Sequence, residues 1–122
     1  MENIAIQMTK LKGKGVFAIK EYSQGDLIEK CPAVLISFAE ADIVDRTKLG
    51  HYWFSWNENC LEEYGAFVGG FGMFYNHSQN ANAIHLPDFD SQVLNIIALR
   101  NIRCGEEITL HYNTIWFESV ED

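Results

Sequence analysis

A chain of 122 residues suits one packed domain and leaves little room for a second. Its 48% apolar content excludes intrinsic disorder, and a net charge of −8 speaks against non-specific affinity for nucleic acid, which positive charge supplies. No apolar run nears the roughly 20 residues of a membrane helix, and residues 1–10 lack a basic segment followed by a long apolar one, so a soluble, intracellular protein is expected.

The first half reads as strands, Ile4 to Met8, Gly15 to Ile19 and Leu27 to Phe38, separated by glycine-containing and polar turns. Residues 39–50, AEADIVDRTKLG, have the composition of a short helix or an irregular segment. The aromatic-dense run from His51 to Tyr75 fits neither a period of two nor one of 3.6. Gly65, Gly69, Gly70 and Gly72 are expected to break any long element within it. Ala83 to Leu86 and Gln92 to Arg100 then form a hairpin around Pro87-Asp88-Phe89-Asp90. A turn at Arg103-Cys104-Gly105 leads into an alternating strand, Glu107 to Tyr112, and the tail 113–122 is acidic at its end. The pattern predicts a mainly β single domain over 1–122 with no internal boundary.

Cys31, Cys60 and Cys104 stand singly and are odd in number, which argues against a disulfide framework and against structural zinc. The four histidines, 51, 77, 85 and 111, show no helical i, i+4 pairing, so no metal centre is expected. The acidic balance would steer a basic peptide or protein toward the surface.

Three stretches can carry chemistry. LKGKGVFA, residues 11–18, sets Gly13 and Gly15 around Lys14, where glycine permits positive φ and close approach of a ligand to the main chain. By itself it is better explained as a hairpin turn. NHSQNAN, residues 76–82, gathers amide and imidazole groups directly after Phe74 and Tyr75. GEEITLHY, residues 105–112, is a turn and a strand that delivers Tyr112 at its end.

In this order and spacing, the three stretches resemble the SET domain family of protein lysine methyltransferases. The resemblance runs from Gly13-Lys14-Gly15-Val16-Phe17-Ala18 through Tyr52-Trp53-Phe54 and Phe74-Tyr75-Asn76-His77-Ser78 with Asn82 to Gly105-Glu106-Glu107-Ile108-Thr109 with Tyr112. It implies a fold of small curved sheets in which the C-terminal segment is threaded through a loop of the preceding chain, an exception to unknotted connectivity. It implies S-adenosylmethionine as cofactor, met by the backbone around Lys14 and Gly15 and by Asn76 and His77, partly through main-chain atoms. Ser78 and Asn82 would hold the threaded loop in shape. Tyr112 corresponds to the catalytic tyrosine, and Tyr52 to an aromatic lining the lysine channel. Trp116 either covers the adenine and closes the channel or anchors the tail.

Two positions depart from the family pattern. Ala81 stands where a proline is usual, which loosens the turn slightly. Gln79 stands where many relatives have a zinc-binding cysteine, and residues 113–122 hold none, so Trp116, Phe117 or a second subunit would have to complete the channel. The shortness resembles minimal stand-alone members, for which a homodimer fits. The implied activity is transfer of a methyl group to lysine in a protein, a histone or another basic protein, with no metal; the nucleus is the expected location in a eukaryote and the cytoplasm in a bacterium. A SET-like binding module without catalysis, and an unrelated small β domain, are the competing readings.

Overall fold

The computed structural model describes residues 3–58 and 61–111. Strands β1 (Ile4–Met8) and β2 (Lys14–Ala18) form an antiparallel hairpin with Ile4 opposite Ala18 and Met8 opposite Lys14. Gly13 closes the turn at φ 73°, a left-handed value that glycine takes without strain. Thr9 braces it: its hydroxyl donates to Gly13 O at 2.8 Å and accepts from Lys12 N at 2.8 Å.

The long β3 (Leu27–Ser37) changes partner midway. Leu27 to Pro32 pair with β8 (Val93–Ala98), and Ala33 to Ser37 pair with β5 (Leu61–Val68). Proline at the changeover fits, since a residue without an N–H suits the end of a ladder. Helix α1 (Phe38–Val44) follows at once, started by a capping box in which Glu40 N donates to Ser37 Oγ at 3.1 Å and Ser37 N donates to Glu40 Oε1 at 2.8 Å. A 3-10 turn, Lys48–His51, follows it.

The aromatic run does contain long elements. β4 (Phe54–Glu58) pairs antiparallel with β5, and Gly65 lies inside β5 rather than ending it. A Cβ on Gly65 would come 2.5 Å from Cε3 of Trp53, so the glycine is there to let the indole lie against the strand. β5 does end at Val68 before Gly69 and Gly70, the latter at φ 61°, and Gly72 opens the 3-10 turn Gly72–Phe74.

β6 (Asn76–His77) and β7 (Ala83–Asp88) lead to β8. The expected hairpin exists, but its turn is displaced: Pro87 and Asp88 belong to β7, opposite Leu94 and Val93, and the reversal falls on residues 89–92. Gln92 takes φ 54°, and Ser91 N donates to Asp88 Oδ1 at 3.3 Å. β9 (Glu107–Leu110) then enters after Gly105, at φ 93°.

β9 is received on both sides. It runs antiparallel to β2, Val16 opposite Ile108, and parallel to β6, with Asn76 beside Thr109 and His77 beside Leu110. It also meets β7 where Ala83 faces Leu110. The paired strands follow the order β1-β2-β9-β7-β8-β3-β5-β4, with β6 joining β9 beside this path. Alternation along β9 sends Ile108 and Leu110 into a core shared with Val16, Ala18, Leu94 and Ile96, all essentially inaccessible to solvent. No helix among the described residues is long and apolar enough to cross a membrane.

Candidate functional site

Segment 76–82 explains its own polar composition. Asn82 is 2% exposed, and its carboxamide replaces a strand partner for β9: Nδ2 donates to Glu107 O at 2.8 Å, and Thr109 N donates to Oδ1 at 2.9 Å. Nδ2 also lies 3.3 Å from Glu106 Oε2. Buried backbone groups left without partners are costly, and one asparagine satisfies two of them here. Ser78 works at the other end of the turn, where its N donates to Leu110 O at 3.0 Å and its Oγ accepts from Asn80 N at 3.0 Å. Ala81, in place of proline, leaves all these bonds intact.

Asn76 points a second carboxamide to the other side. Its Nδ2 donates to Glu107 Oε2 at 2.8 Å and to Lys14 O at 3.1 Å, so residues from β2, β6 and β9 meet at one point. Gly15 makes this meeting feasible. A Cβ there would lie 2.5 Å from Glu107 Oε2 and 2.9 Å from Asn76 Nδ2. Gly15 therefore serves close approach, while Gly13 serves the turn.

His77, 6% exposed, sits one residue further along β6. Its carbonyl accepts from Lys12 Nζ at 2.7 Å, its ring is 4.9 Å from that of His111 in a tilted pair, and Gln79 Nε2 lies 3.4 Å from its Nε2. The Lys14 ammonium stands 5.9 Å from the centre of the Phe74 ring, within reach of cation–π attraction.

The residue before Asn76 is fixed from below. The Tyr75 hydroxyl donates to Glu29 Oε1 at 2.8 Å, and Phe71 N donates to Glu29 Oε2 at 2.8 Å. Burial first, then the Glu29 carboxylate, pushes the Tyr75 phenol far above its ordinary range, and the same two causes push up the Cys31 thiol. Both stay protonated at neutral pH. Tyr75 anchors the loop through Glu29.

Of the residues expected to form the site, Lys14, Gly15, Asn76 and His77 come together. Tyr52 ends the 3-10 turn after α1, is 40% exposed, and shares no described hydrogen bond or ring contact with them. Tyr112 and Trp116 lie outside the described residues, as does Cys60. Cys31 and Cys104 are free thiols. Sequence reasoning missed Glu107, Lys12 and Glu29. Only Glu107 carried a signal, since two adjacent carboxylates opening a strand must point to opposite faces.

Comparison with known proteins gives a consistent answer. The sequence profile of the SET domain matches residues 13–113. The chain is 29% identical over 117 residues to the histone-lysine N-methyltransferase, H3 lysine-37 specific, of Schizosaccharomyces pombe, covering 94% of this chain and 77% of that protein. It is 34% identical over 118 residues to the H3 lysine-36 specific enzyme of Candida albicans, covering 90% of this chain but only 14% of that one. Among solved structures, a Plasmodium falciparum chain assigned to the histone methyltransferases superposes with a TM-score of 0.74 at 28% identity, covering 97% of this chain and 99% of the other.

Proposed function

Because the chain belongs to the SET domain family, we propose that it is a protein-lysine N-methyltransferase using S-adenosylmethionine, with basic proteins, histones first, as substrates. The observation that carries this reading is the convergence of Lys14, Gly15, Asn76 and Glu107 from three strands around a single carboxamide. Those groups fit the amino-acid head of such a donor: a close-packed glycine and main-chain carbonyls beside a carboxamide and a carboxylate. Asn76 and His77 hold the amino-acid end and the adenine, and the backbone around Lys14 and Gly15 flanks them. The named fungal relatives act on histone H3, and a net charge of −8 favours encounter with basic proteins; both support a nuclear location in a eukaryotic host.

When bound, S-adenosylmethionine supplies an electrophilic methyl group on a cationic sulfur that leaves as a neutral thioether. The chain's task is then alignment and exclusion of water. Lysine has a pKa of about 10.4 in water, so the channel must favour the neutral amine. Tyr52 and Trp116 do this by desolvating it, which disfavours the charged form. Tyr112 orients the reacting groups through its hydroxyl. It is a poor general base near neutrality, because its own pKa is about 10.

Labelled-methyl transfer to histones and to a total protein extract tests the reading, with label expected on lysine. Tyr112→Phe is expected to cut turnover by about 100-fold, the usual cost of one well-placed polar group, while S-adenosylhomocysteine binding survives. Parental turnover in that variant removes Tyr112 from the chemistry. No label on any lysine with the parent protein removes the function.

A further inference from the structure

Resting on the reading of this cleft as the methyl-donor site, we propose that Glu107 is a positioning residue. It fixes the Asn76 carboxamide with Oδ1 turned outward, so that the cleft demands an ammonium group at that point. The two protons of Asn76 Nδ2 are committed to Glu107 Oε2 at 2.8 Å and Lys14 O at 3.1 Å. Both partners are pure acceptors. Turning the carboxamide over would press Oδ1 against a carboxylate and a carbonyl and leave the amide protons without those partners. Oδ1 is thereby held as the acceptor, and no described residue donates to it. Gly15 packs against the same two side-chain atoms and blocks their retreat toward β2.

The neighbouring carboxylate shows the contrast. Glu106 is occupied elsewhere, with Oε2 3.7 Å from Arg100 Nη2 and 3.3 Å from Asn82 Nδ2, and Oε1 accepting from Arg103 N at 3.0 Å. Glu107 forms no ion pair with any described residue. Its carboxylate lies beside a carboxamide that presents an oxygen, and no cation among the described residues pairs with it. A ligand carrying a positive hydrogen-bond donor fits such a site, and one lacking it leaves the oxygen unmet.

The test compares S-adenosylhomocysteine with its desamino analogue by calorimetry. The parent is expected to prefer the amino form by about 10- to 100-fold, the range of a charge-assisted hydrogen bond. Glu107→Gln, which can offer an amide to Asn76 in either sense, should shrink that preference to within about threefold, whereas Glu107→Asp should retain part of it. In an Asn76→Ala background, Glu107→Gln should change the preference no further. An undiminished preference in a folded Glu107→Gln protein, as judged by its melting temperature, overturns the proposal. So does an equal effect in the Asn76→Ala background, which would mean that Glu107 meets the ammonium itself. If Glu107→Gln does not fold, the Glu107→Asp pair decides by the same comparison. A parent that binds neither compound overturns the donor-site reading along with this one.

Discussion

The two ends of segment 76–82 grip the same strand by different means. At Asn82 the carboxamide is buried and fully engaged, its oxygen receiving Thr109 N and its nitrogen serving Glu107 O. At Asn76 the same chemical group is half-buried, and among the described residues its nitrogen alone is engaged, by a side chain and a carbonyl. On the proposed reading, two asparagines six positions apart beside β9 divide structure from recognition. What separates them is whether the oxygen has an internal donor. A buried polar group with every partner present holds a fold, whereas one with an acceptor to spare is ready for a ligand.

Substituting each asparagine breaks this contrast most directly. Asn82→Ala should lower unfolding stability by about 2–3 kcal/mol in urea titrations, because it removes a buried carboxamide that partners two half-buried backbone groups of β9. Asn76→Ala should cost less than about 1 kcal/mol, since water reaches the vacated groups. Equal costs at the two sites would end the division of labour.

Gly15→Ala sharpens the comparison at the recognition end. Its new methyl would meet the ends of two flexible side chains, Glu107 and Asn76, rather than backbone. The pair should shift while β2 stays in place. S-adenosylhomocysteine affinity should drop by about tenfold for a stability change below about 1 kcal/mol. A stability loss as large as that of Asn82→Ala would instead make Gly15 part of the structural end.

The smallest effect is expected away from both ends, at His85 in β7, whose ring packs 5.1 Å from that of Phe54. Burial lowers its imidazole below the ordinary 6.5. The unfolded chain therefore takes up this proton at higher pH than the folded one. The stability contributed is full above the unfolded value and is lost as pH falls through the folded one. Urea midpoints should decline from about pH 7.5 to about pH 5.5, and His85→Phe should flatten part of that decline. A parallel decline in the variant would assign the effect to other groups.

Most strands could be read from the chain because one face is apolar and turns carry glycine, as in β1, β2 and β9. β4 and β5 escaped because aromatics occupy both faces: Trp56 and Tyr64 stand opposite each other on one face, Phe67 alternates to the other, and Trp53 lies against Gly65. That mixture erases a period of two. The hairpin turn was misplaced because Pro87-Asp88 has turn composition. Yet among the described residues β9 borders β7 only at Ala83 and no other strand pairs with Pro87 on that side, a position where strands tolerate proline. The SET domain assignment was legible through three motifs taken together. The clustering of Lys14, Gly15, Asn76 and His77 followed from it and not from any local pattern. Alternation marks Glu107 as pointing away from Glu106, but its partners depend on the register of β9 against β2, a pairing between distant parts of the chain.

The seating of β9 between β2 and the 76–83 segment also governs how the molecule comes into being. Pairings such as Val16 with Ile108 close very long loops, whose entropic cost falls due before any contact rewards it. Folding should accordingly be slow for so small a chain, with closure of this last strand as its late step. Partly folded molecules would then lack the donor cleft altogether, so S-adenosylhomocysteine should act as a trap for the finished state and slow its unfolding.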